Sequence, residues 1–296
     1  MMRFESKSTQ AVRALARTLL ALDGENLSST RELAEEAGVG TGTVSKALEF
    51  LSDEGTLRAQ RIQRSGTTIE HLDYGRLWSY AAYGPVKGVL PMSLDASLER
   101  LVTAVTAALE AAGVQASLTY RAGALRRLQA VREGQIDFTV VSQHTLAGED
   151  GVIAVHQFGA GSYYGTTGIY RLLRRDGGPI QSVGGCSESP DHYDLVRAEF
   201  PEAALVDVAF RTIPRLVVEG KVDATIWYGG TPVPGELVNA LKTEPAQSTA
   251  AEELIQTAAV MVVASQSPAQ NLFQSLDRGL LDRSYAAALH VGAHHA

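Results

Sequence analysis

The stretch Ser28–Leu57 reads SSTRELAEEAGVGTGTVSKALEFLSDEGTL and decides the fold of the first part of this 296-residue chain. Its second half carries apolar residues at the helical spacing i, i+3, i+4 and i+7, namely Val44, Ala47, Leu48 and Leu51. Ser29 or Thr30 can cap the first helix, with Glu32 close enough for a capping box, and Gly38 suits a left-handed turn. The stretch therefore predicts a helix-turn-helix, whose second helix enters the major groove of DNA. The alternative is an ordinary helical hairpin inside a larger core.

A charged hairpin is predicted directly after this stretch. Residues 56–62 and 67–72 alternate in the manner of strands, with Arg64-Ser65-Gly66 between them as the turn. Arg58 and Arg61 add to the positive charge of Arg64, and no acidic residue stands beside them. Such a hairpin is typical of a wing that contacts DNA phosphates or the adjacent minor groove. A hairpin that is merely solvated would mix charges of both signs.

Several short motifs stand in a characteristic order along this region. They are Thr30-Arg31-Glu32-Leu33-Ala34, Gly38-Val39, Thr43-Val44, Lys46-Ala47-Leu48, Leu51 and Glu54-Gly55. In this order they resemble the GntR-type winged helix of bacterial transcription regulators. With Tyr74-Gly75 after the hairpin and the order of strands and helices beyond, the whole chain is similar to the YhfZ-like regulators of that group. Those regulators join a winged helix to a ligand-binding domain of the periplasmic-binding-protein type.

The resemblance implies which residues contact DNA. They are Arg31, Thr41, Thr43, Ser45 and Lys46 in the two helices, and Arg61, Arg64 and Gly66 in the wing. In the family, arginines commonly flank the position of Thr43, where this chain has Thr41 and Ser45. An arginine grips guanine through two hydrogen bonds that these hydroxyls cannot match. Either Arg31 and Lys46 recognise the bases in this protein, or the operator sequence differs from the usual one.

The net charge and the composition exclude several classes of protein. The net charge of −7 excludes a chain that is basic overall, and basic and acidic residues are nearly balanced within residues 1–70. One copy therefore offers few cations to DNA phosphates, and we expect a homodimer that doubles the contacts on a palindrome. The single cysteine, Cys186, excludes an intrachain disulfide. Because we find neither a signal-peptide core nor an apolar run of about 18 residues, we expect a cytoplasmic protein without a membrane partner.

A short pattern recurs in the second part of the chain. Glu133, Gly134, Asp137 and Thr139 return as Glu219, Gly220, Asp223 and Thr225, each 86 residues later. Each copy ends a predicted helix and enters a predicted strand, which indicates two α/β lobes of the same design. Chance similarity is the alternative. The pattern also resembles the two-lobed fold of type II periplasmic binding proteins.

The predicted fold class is α/β, with an N-terminal winged helix-turn-helix followed by a two-lobed domain like type II periplasmic binding proteins. The predicted domains are 1–72 for DNA binding, 73–85 as a linker and 86–296 for ligand binding, with lobe one at about 86–155 and 255–296 and lobe two at about 156–254. Within the second domain, the patterns predict a long helix over 94–112, a loose return over 232–245 and one helix over 268–281.

In sheets of this kind, ligands bind at the carboxyl ends of strands and near helix N-termini. Arg121 and Arg211 stand at equivalent corners of the two lobes and are the predicted clamp for a carboxylate or phosphate, so we expect a small anionic metabolite as effector. The loop 159–165 is expected to line the site. The predicted ligand-binding residues are Ser93, Arg121, Ser142, Gln143, Ser162, Gly184, Gly185, Ser187, Arg211, Trp227 and Tyr228.

No sequence motif for a cofactor, a metal or a catalytic nucleophile stands out. We therefore expect a ligand-responsive regulator that binds double-stranded DNA, with no cofactor, no metal and no enzymatic activity. One alternative is an enzyme on a two-lobed scaffold with an autoregulatory DNA-binding domain, in which Cys186, Ser187 and His192 would be the reactive groups. Another is a regulator whose second domain only dimerises.

Overall fold

The computed structural model of the chain describes residues 6–22, 24, 26–62, 66–92, 96–165 and 168–288. These residues form two compact units. The first consists of the described parts of Met1–Val86, Thr106–Ser117 and Gln266–Asp277. The second consists of the described parts of Lys87–Val105, Leu118–Ser265 and Arg278–Ala296. None of the helices in the described ranges is long and apolar enough to cross a membrane.

The chain begins with a mainly helical segment. Its elements are α1 (Lys7–Leu20), β1 (Asn26–Leu27), α2 (Thr30–Ala37), α3 (Thr41–Asp53), β2 (Leu57–Ile62), β3 (Gly66–Leu72) and α4 (Tyr74–Tyr80). The three strands form an antiparallel sheet in the order β1-β3-β2.

Helices and strands alternate along the rest of the chain. They are β4 (Val86–Leu90), α5 (Ala96–Ala111), β5 (Ala116–Tyr120), α6 (Ala124–Arg132), β6 (Phe138–Ser142), α7 (Gln143–Leu146), β7 (Val152–Gln157), β8 (Ile169–Arg174), β9 (Ser182–Gly185), α8 (Pro190–Glu199), β10 (Ala204–Asp207), α9 (Ile213–Val218), β11 (Ala224–Tyr228), α10 (Gly235–Val238), β12 (Leu241–Pro245), α11 (Thr249–Ile255), β13 (Ala259–Ala264), α12 (Pro268–Ser275) and α13 (Arg278–Ala287).

Local hydrogen bonds set the bounds of α2 and confirm the predicted capping box. The Ser29 hydroxyl accepts a hydrogen bond from the backbone N–H of Glu32, and the Glu32 carboxylate accepts one from the backbone N–H of Ser29 at 2.8 Å. Gly38 ends α2 in the left-handed conformation, with a φ of 64°. α3 then buries Val44, Ala47 and Leu51 on one face and leaves the opposite face exposed.

The first unit also contains elements that the sequence does not predict. α1 buries Leu15, Leu19 and Leu20, and α4 lies inside the predicted linker 73–85. The side chain of Asp73 caps α4 by accepting a hydrogen bond from the backbone N–H of Arg76 at 3.0 Å.

A helix from far along the chain completes the first unit. α12 packs against α1 and α4, and the side-chain amide of Asn271 donates hydrogen bonds to the carbonyl oxygens of Leu20 at 2.9 Å and Leu22 at 3.1 Å. Carbonyls at the end of a helix have no partner within it, so these bonds satisfy the end of α1. The single helix predicted over 268–281 is wrong, because Leu276 takes an extended ψ of 144° and separates α12 from α13.

The second unit contains two sheets that share one design. Their strand orders are β5-β4-β6-β13-β7 in lobe one and β10-β9-β11-β8-β12 in lobe two. β4 and β6 are parallel, as are β9 and β11, whereas β13 and β8 run antiparallel to both of their neighbours. This arrangement confirms the predicted two-lobed α/β architecture. The return over 232–245 is more regular than predicted, since it holds α10 and the edge strand β12.

The aspartates of the repeated pattern fasten the two sheets in the same way. The Asp137 carboxylate accepts a hydrogen bond from the backbone N–H of Lys87 in β4 at 2.7 Å. The Asp223 carboxylate accepts one from the backbone N–H of Ser182 in β9 at 2.8 Å and another from that of Gln181 at 3.0 Å. Each aspartate therefore joins a helix–strand turn to the start of the neighbouring strand.

The other repeated residues match as well. Gly134 and Gly220 both take a left-handed φ, of 66° and 68°. Thr139 and Thr225 are fully buried and each donates its hydroxyl to a backbone carbonyl of the neighbouring strand. The recurrence in sequence thus marks equivalent positions in two lobes, which answers the alternative of chance similarity.

The pKa values of the two aspartates are shifted in opposite directions. We therefore expect opposite effects on the free energy of unfolding when each aspartate is replaced by asparagine. Burial raises the pKa of Asp137, although its hydrogen bond from Lys87 acts the other way. Burial would also raise the pKa of Asp223, but hydrogen bonds from Ser182 and Gln181 outweigh it and lower that pKa. At pH 7, Asp223→Asn should therefore reduce the free energy of unfolding by no more than about 1 kcal/mol, because solvent screens this carboxylate and the amide oxygen can still accept hydrogen bonds. Asp137→Asn should leave it unchanged or raise it, because the ionised form of Asp137 is the disfavoured one.

The pH dependence provides the check. The stabilising contribution of Asp223 is present above its unfolded pKa of about 3.9 and is lost as the pH falls through the lower folded pKa, so the deficit of Asp223→Asn should shrink on acidification. For Asp137, ionisation costs stability once the pH rises above about 3.9, so Asp137→Asn should gain on the wild type between pH 4 and pH 7. Urea unfolding in a Trp78→Phe background, followed by Trp227 fluorescence, measures both variants. Equal losses at pH 7 would contradict the assignment.

Candidate ligand-binding site

A cavity of about 100 Å³ lies in the second unit between the carboxyl ends of the strands of the two sheets. Its lining from lobe one and the segment that leaves it consists of Pro91, Met92, Ala122, Gly123, Ala124, Arg127, Thr145, Tyr163 and Tyr164. Its lining from lobe two consists of Ser189, Asp191, His192, Phe210, Tyr228 and Thr231. One water needs only about 10–15 Å³ of such space, so the cavity can hold a small molecule.

Arg127 brings a buried positive charge to this cavity. The residue is 2% exposed and lies on α6 among the apolar residues that pack into lobe one. Its guanidinium donates hydrogen bonds to the carbonyl oxygens of Arg121 at 2.8 Å and Val140 at 3.3 Å, and to the hydroxyl oxygens of Thr139 and Tyr163 at 3.2 Å each. All four acceptors are neutral. Within the described ranges no carboxylate lies at ion-pair distance, so the charge of Arg127 is not balanced by an anion there.

Asp191 brings a buried negative charge from the other lobe. It stands in the first turn of α8, where the helix dipole favours an anion, and is 4% exposed. One carboxylate oxygen accepts a hydrogen bond from the Thr145 hydroxyl at 2.8 Å, and the other accepts one from the Tyr164 hydroxyl at 2.5 Å. Both donors are neutral, and the part of the chain that the structure describes places no cationic side chain at ion-pair distance.

Aromatic rings form much of the wall. The rings of Tyr164 and Tyr228 stack at 4.8 Å between centroids, and those of Phe210 and Trp227 stack at 4.7 Å. Burial raises the pKa of the Tyr164 and Tyr228 hydroxyls well above the usual value near 10, and the Asp191 carboxylate raises it further. Both hydroxyls therefore keep their protons at neutral pH and serve as hydrogen-bonding groups.

His192 contributes a neutral imidazole to the wall. Its Nδ1 accepts a hydrogen bond from the backbone N–H of Cys186 at 3.2 Å, and its Nε2 donates one to the carbonyl oxygen of Ile226 at 3.1 Å. Burial lowers the pKa of His192 to about 4. The Ser187 hydroxyl donates to the Asp207 carboxylate at 2.7 Å. Both ring nitrogens of His192 are thus engaged by backbone groups, rather than by the Cys186 thiol or the Ser187 hydroxyl.

The predicted arginine clamp lies beside this cavity but outside its lining. Arg121 is exposed, and its carbonyl oxygen accepts the hydrogen bond from Arg127. Arg211 is exposed on the short 3-10 turn Phe210–Thr212, next to the lining residue Phe210. Ser93 lies outside the described residues. Among the predicted ligand-binding residues, Tyr228 lines the cavity.

The predicted polar residues of lobe one have partners within the fold. The Ser142 hydroxyl caps α7 by accepting a hydrogen bond from the backbone N–H of Thr145 at 2.9 Å. The Ser162 hydroxyl accepts one from the backbone N–H of Ala259 at 2.8 Å. Gln143 is exposed and begins α7. Ser142 and Ser162 therefore hold backbone in place.

The remaining predictions of lobe two also concern packing positions. Gly184 and Gly185 are buried in β9, and a Cβ on Gly185 would stand 2.7 Å from a methyl carbon of Leu205. Trp227 stacks behind Phe210 and donates its indole N–H to the carbonyl oxygen of Thr231 at 2.7 Å. Trp227 therefore packs against a lining residue of the cavity, whereas the two glycines pack within lobe two.

Arg127 and Asp191 are the charged lining residues that sequence reasoning missed. A signal for Arg127 exists, because it falls on the apolar stripe of a predicted helix, three residues after Ala124 and four before Val131. A charged residue on a buried face is rare unless it is paired, so its position there is informative. Asp191 carries no comparable signal, since acidic residues are common in a first helical turn. Tyr163 and Tyr164 also line the cavity, and they lie in the loop 159–165 that the sequence predicts to line the site.

The residues predicted for DNA binding lie in the first unit. The side chain of Arg31 is 86% exposed and forms an ion pair with Glu35 one turn along α2. On α3, Thr41, Ser45 and Lys46 are exposed and Thr43 is half-buried. In the hairpin, Arg61 is exposed and Gly66 begins β3, while Arg64 lies outside the described residues.

The sequence and the fold both match known proteins. Residues 73–288 match the family of the YhfZ C-terminal domain. The chain is 26% identical over 234 residues to the uncharacterized protein YhfZ of Escherichia coli strain K12. The aligned segment covers 76% of this chain and 75% of that protein. It has the same fold as the crystal structure of YhfZ from Shigella flexneri, with a TM-score of 0.55 and 22% identity over 75% of this chain and 97% of that one. A full-length OxyR variant from Pseudomonas aeruginosa is similar at a TM-score of 0.42 and 14% identity, over 96% of this chain and 95% of that one. Since the family match spans most of the sequence, the chain belongs to the YhfZ family.

Proposed function

We propose that this protein is a ligand-responsive transcription regulator that binds operator DNA through a GntR-type winged helix-turn-helix in its first unit. The second unit acts as a sensor for a small anionic metabolite, without enzymatic activity and without a cofactor. In this proposal the protein works in the cytoplasm as a homodimer. The observation that carries the proposal is the two-sided character of α3. It buries Val44, Ala47 and Leu51 against its own unit and keeps a polar face with Lys46 free for another molecule.

The hairpin beside α3 supports the same interpretation. Arg58 and Arg61 are exposed on β2, and cations on such a hairpin suit the phosphates that flank a major groove. α3 itself offers Lys46 as its basic residue, together with the hydroxyls of Thr41 and Ser45. Because few cations reach the DNA from one copy, binding by a dimer to two half-sites follows from the salt-dependent energetics of phosphate contacts.

The cavity of the second unit supports the sensor role. Arg127 supplies a fixed positive charge that an anionic ligand would balance. The cavity also takes its walls from both lobes, and Asp191 of lobe two accepts hydrogen bonds from Thr145 and Tyr164 across it. A ligand that contacts both lobes binds the closed arrangement more tightly than an open one. It therefore shifts the equilibrium between the two.

Selection of genomic fragments tests the DNA-binding half of the proposal. The full chain is incubated with sheared DNA from the source organism, and the bound fragments are sequenced. We expect enrichment of a small set of fragments that share an inverted repeat. Enrichment of no sequence above random DNA would contradict the proposed function.

Two arginines should have separable effects on the enriched fragments. Arg31→Ala should weaken binding to those fragments about tenfold or more while leaving random DNA little changed, because it removes a base contact. Arg61→Ala should weaken both and reduce the slope of affinity against salt by about one unit, because it removes a phosphate contact. Fluorescence anisotropy at several salt concentrations measures both effects. Lys221→Ala, at an exposed lysine of the second unit, is the matched control and should bind as the wild type does; equal losses in all three variants would argue against these roles.

A further inference from the structure

Two buried side chains of opposite charge face the same cavity. Arg127 is 2% exposed and Asp191 is 4% exposed, and both line the cavity. The structure gives no hydrogen bond or ion pair between them, and each is held by neutral groups. Charges that have been removed from water are costly unless an opposite charge compensates them. Each of the two side chains therefore lacks a bonded partner of opposite charge, and a ligand with one positive and one negative group would supply both partners.

The hydrogen-bonding capacity of the two side chains has the same implication. A guanidinium has five N–H donors, and the four hydrogen bonds of Arg127 leave one Nη1 hydrogen without an acceptor in the described part of the chain. A carboxylate has about four acceptor sites, and Asp191 uses two of them for Thr145 and Tyr164. Arg127 can therefore accept a further anionic partner, and Asp191 can accept from a further donor.

The surroundings of the two charges differ in a way that suits different ligand groups. Asp191 bonds to Tyr164, whose ring stacks on Tyr228 at 4.8 Å. Aromatic faces next to a carboxylate attract a protonated amine through its positive charge. Arg127 instead offers one Nη1 N–H, which can donate a charge-assisted hydrogen bond to a carboxylate oxygen. The adjacent Tyr163 and Tyr164 each bond to one of the two charges, so both lie along one short stretch of wall.

We propose that the ligand of this cavity is a small zwitterion of the amino-acid class, whose carboxylate pairs with Arg127 and whose ammonium pairs with Asp191. This inference rests on the proposed sensor function, and it replaces the simple anion named there by a molecule that carries an amine beside its anionic group. An anion without an amine would leave the Asp191 charge uncompensated and would be repelled by it. An amine without an acid would leave the Arg127 charge uncompensated and would be repelled by it. The volume of about 100 Å³ favours a single small molecule over a peptide.

Calorimetric titration of the full chain tests the proposal with defined probes. The probes are the common L-amino acids, followed for each one that binds by the matching acid without the amine and the matching amine without the acid. For alanine, these are propionate and ethylamine. We expect at least one amino acid to bind at least tenfold more tightly than either of its two analogues. The absence of binding by every amino acid, or equal binding by the acid alone, would overturn the proposal.

Variants with matched controls locate the two charges. Asp191→Asn should weaken binding of the amino acid at least tenfold and leave binding of propionate unchanged or stronger. Asp194→Asn, on the same helix but with an exposed side chain, should have no effect. Arg127→Met should abolish binding of both amino acid and propionate, whereas the exposed neighbour in Arg126→Met should not. Because Arg127 also bonds to backbone carbonyls, thermal unfolding first establishes that its variant is folded, and Asp191→Asn tests the proposal without that requirement.

Unchanged amino-acid affinity in Asp191→Asn would overturn the zwitterion assignment. Such a failure is distinguishable from failure of the proposed function, because the selection of genomic fragments does not depend on the ligand. Enriched fragments together with a purely anionic ligand would leave a regulator with a different effector. Amino-acid binding without any enriched fragment would leave a binding protein that is not a regulator.

Discussion

Phe138→Ala is expected to reduce the free energy of unfolding of the second unit by about 3–5 kcal/mol. Phe138 is fully buried in β6. Its ring fills the space beside β4 that the missing side chain of Gly88 leaves open, since a Cβ on Gly88 would stand 2.4 Å from the ring. Removal of the ring leaves a cavity between two central strands, and the backbone of a paired strand cannot collapse far into it.

Urea unfolding followed by tryptophan fluorescence measures this loss. The chain has two tryptophans, with Trp78 in the first unit and Trp227 in the second. A Trp78→Phe background therefore makes the fluorescence report on the second unit alone. Val206→Ala is the control, because Val206 is apolar but 38% exposed on the edge strand β10, and it should change stability by no more than about 0.5 kcal/mol. A loss for Phe138→Ala as small as that of the control would disprove the central position of this ring.

Gly75→Ala is expected to destabilise the first unit by about 1–3 kcal/mol or more, through overpacking. A Cβ on Gly75 in α4 would stand 1.8 Å from the carbonyl oxygen of Ala112, just beyond the end of α5. The obstacle is backbone, so a side-chain rotation cannot relieve the clash. The two segments have to separate by more than an ångström, which also disturbs the neighbouring core residue Trp78.

A second helical glycine provides a control of opposite sign. Gly42 lies in α3 with no heavy atom within 4 Å of an added Cβ. Gly42→Ala should therefore raise stability by about 0.5–1 kcal/mol, which is the ordinary preference of a helix for alanine over glycine. Unfolding in a Trp227→Phe background, followed by the emission of Trp78, compares the two variants. If Gly75→Ala were as stable as Gly42→Ala, the close approach of α4 to Ala112 would be refuted.

The parts of the fold that the sequence predicts are those set by interactions within a few residues. The capping box of Ser29 and Glu32 and the left-handed Gly38 depend on local geometry, and all are present as predicted. The repeated Glu-Gly-x-x-Asp pattern belongs to the same class, because the glycine ends a helix next to the strand that follows it. Such signals survive in the sequence because each of them acts on its own neighbours.

Elements and side-chain roles that depend on partners far away in the sequence are not predicted from the sequence. β12 reads LKTEP and has little apolar pattern, since it lies at the edge of its sheet and buries Leu241 alone. The role of Arg127 depends on carbonyl and hydroxyl oxygens from three separate places in the chain. In contrast, Arg121 and Arg211 stand at the strand-to-helix corners where topology predicts a ligand. Topology locates the cavity, but the direction of each side chain follows from packing that a single sequence does not display.

The participation of α12 in the first unit has a consequence for protein synthesis. The ribosome makes residues 1–86 first, and it makes Gln266–Asp277 only after most of the second unit. Until then, the nascent chain lacks Asn271, and the carbonyls of Leu20 and Leu22 have to hydrogen-bond to water. The proposed DNA-binding head is therefore complete only after α12 has been made. Prematurely terminated products that lack α12 would not compete with intact copies for the operator.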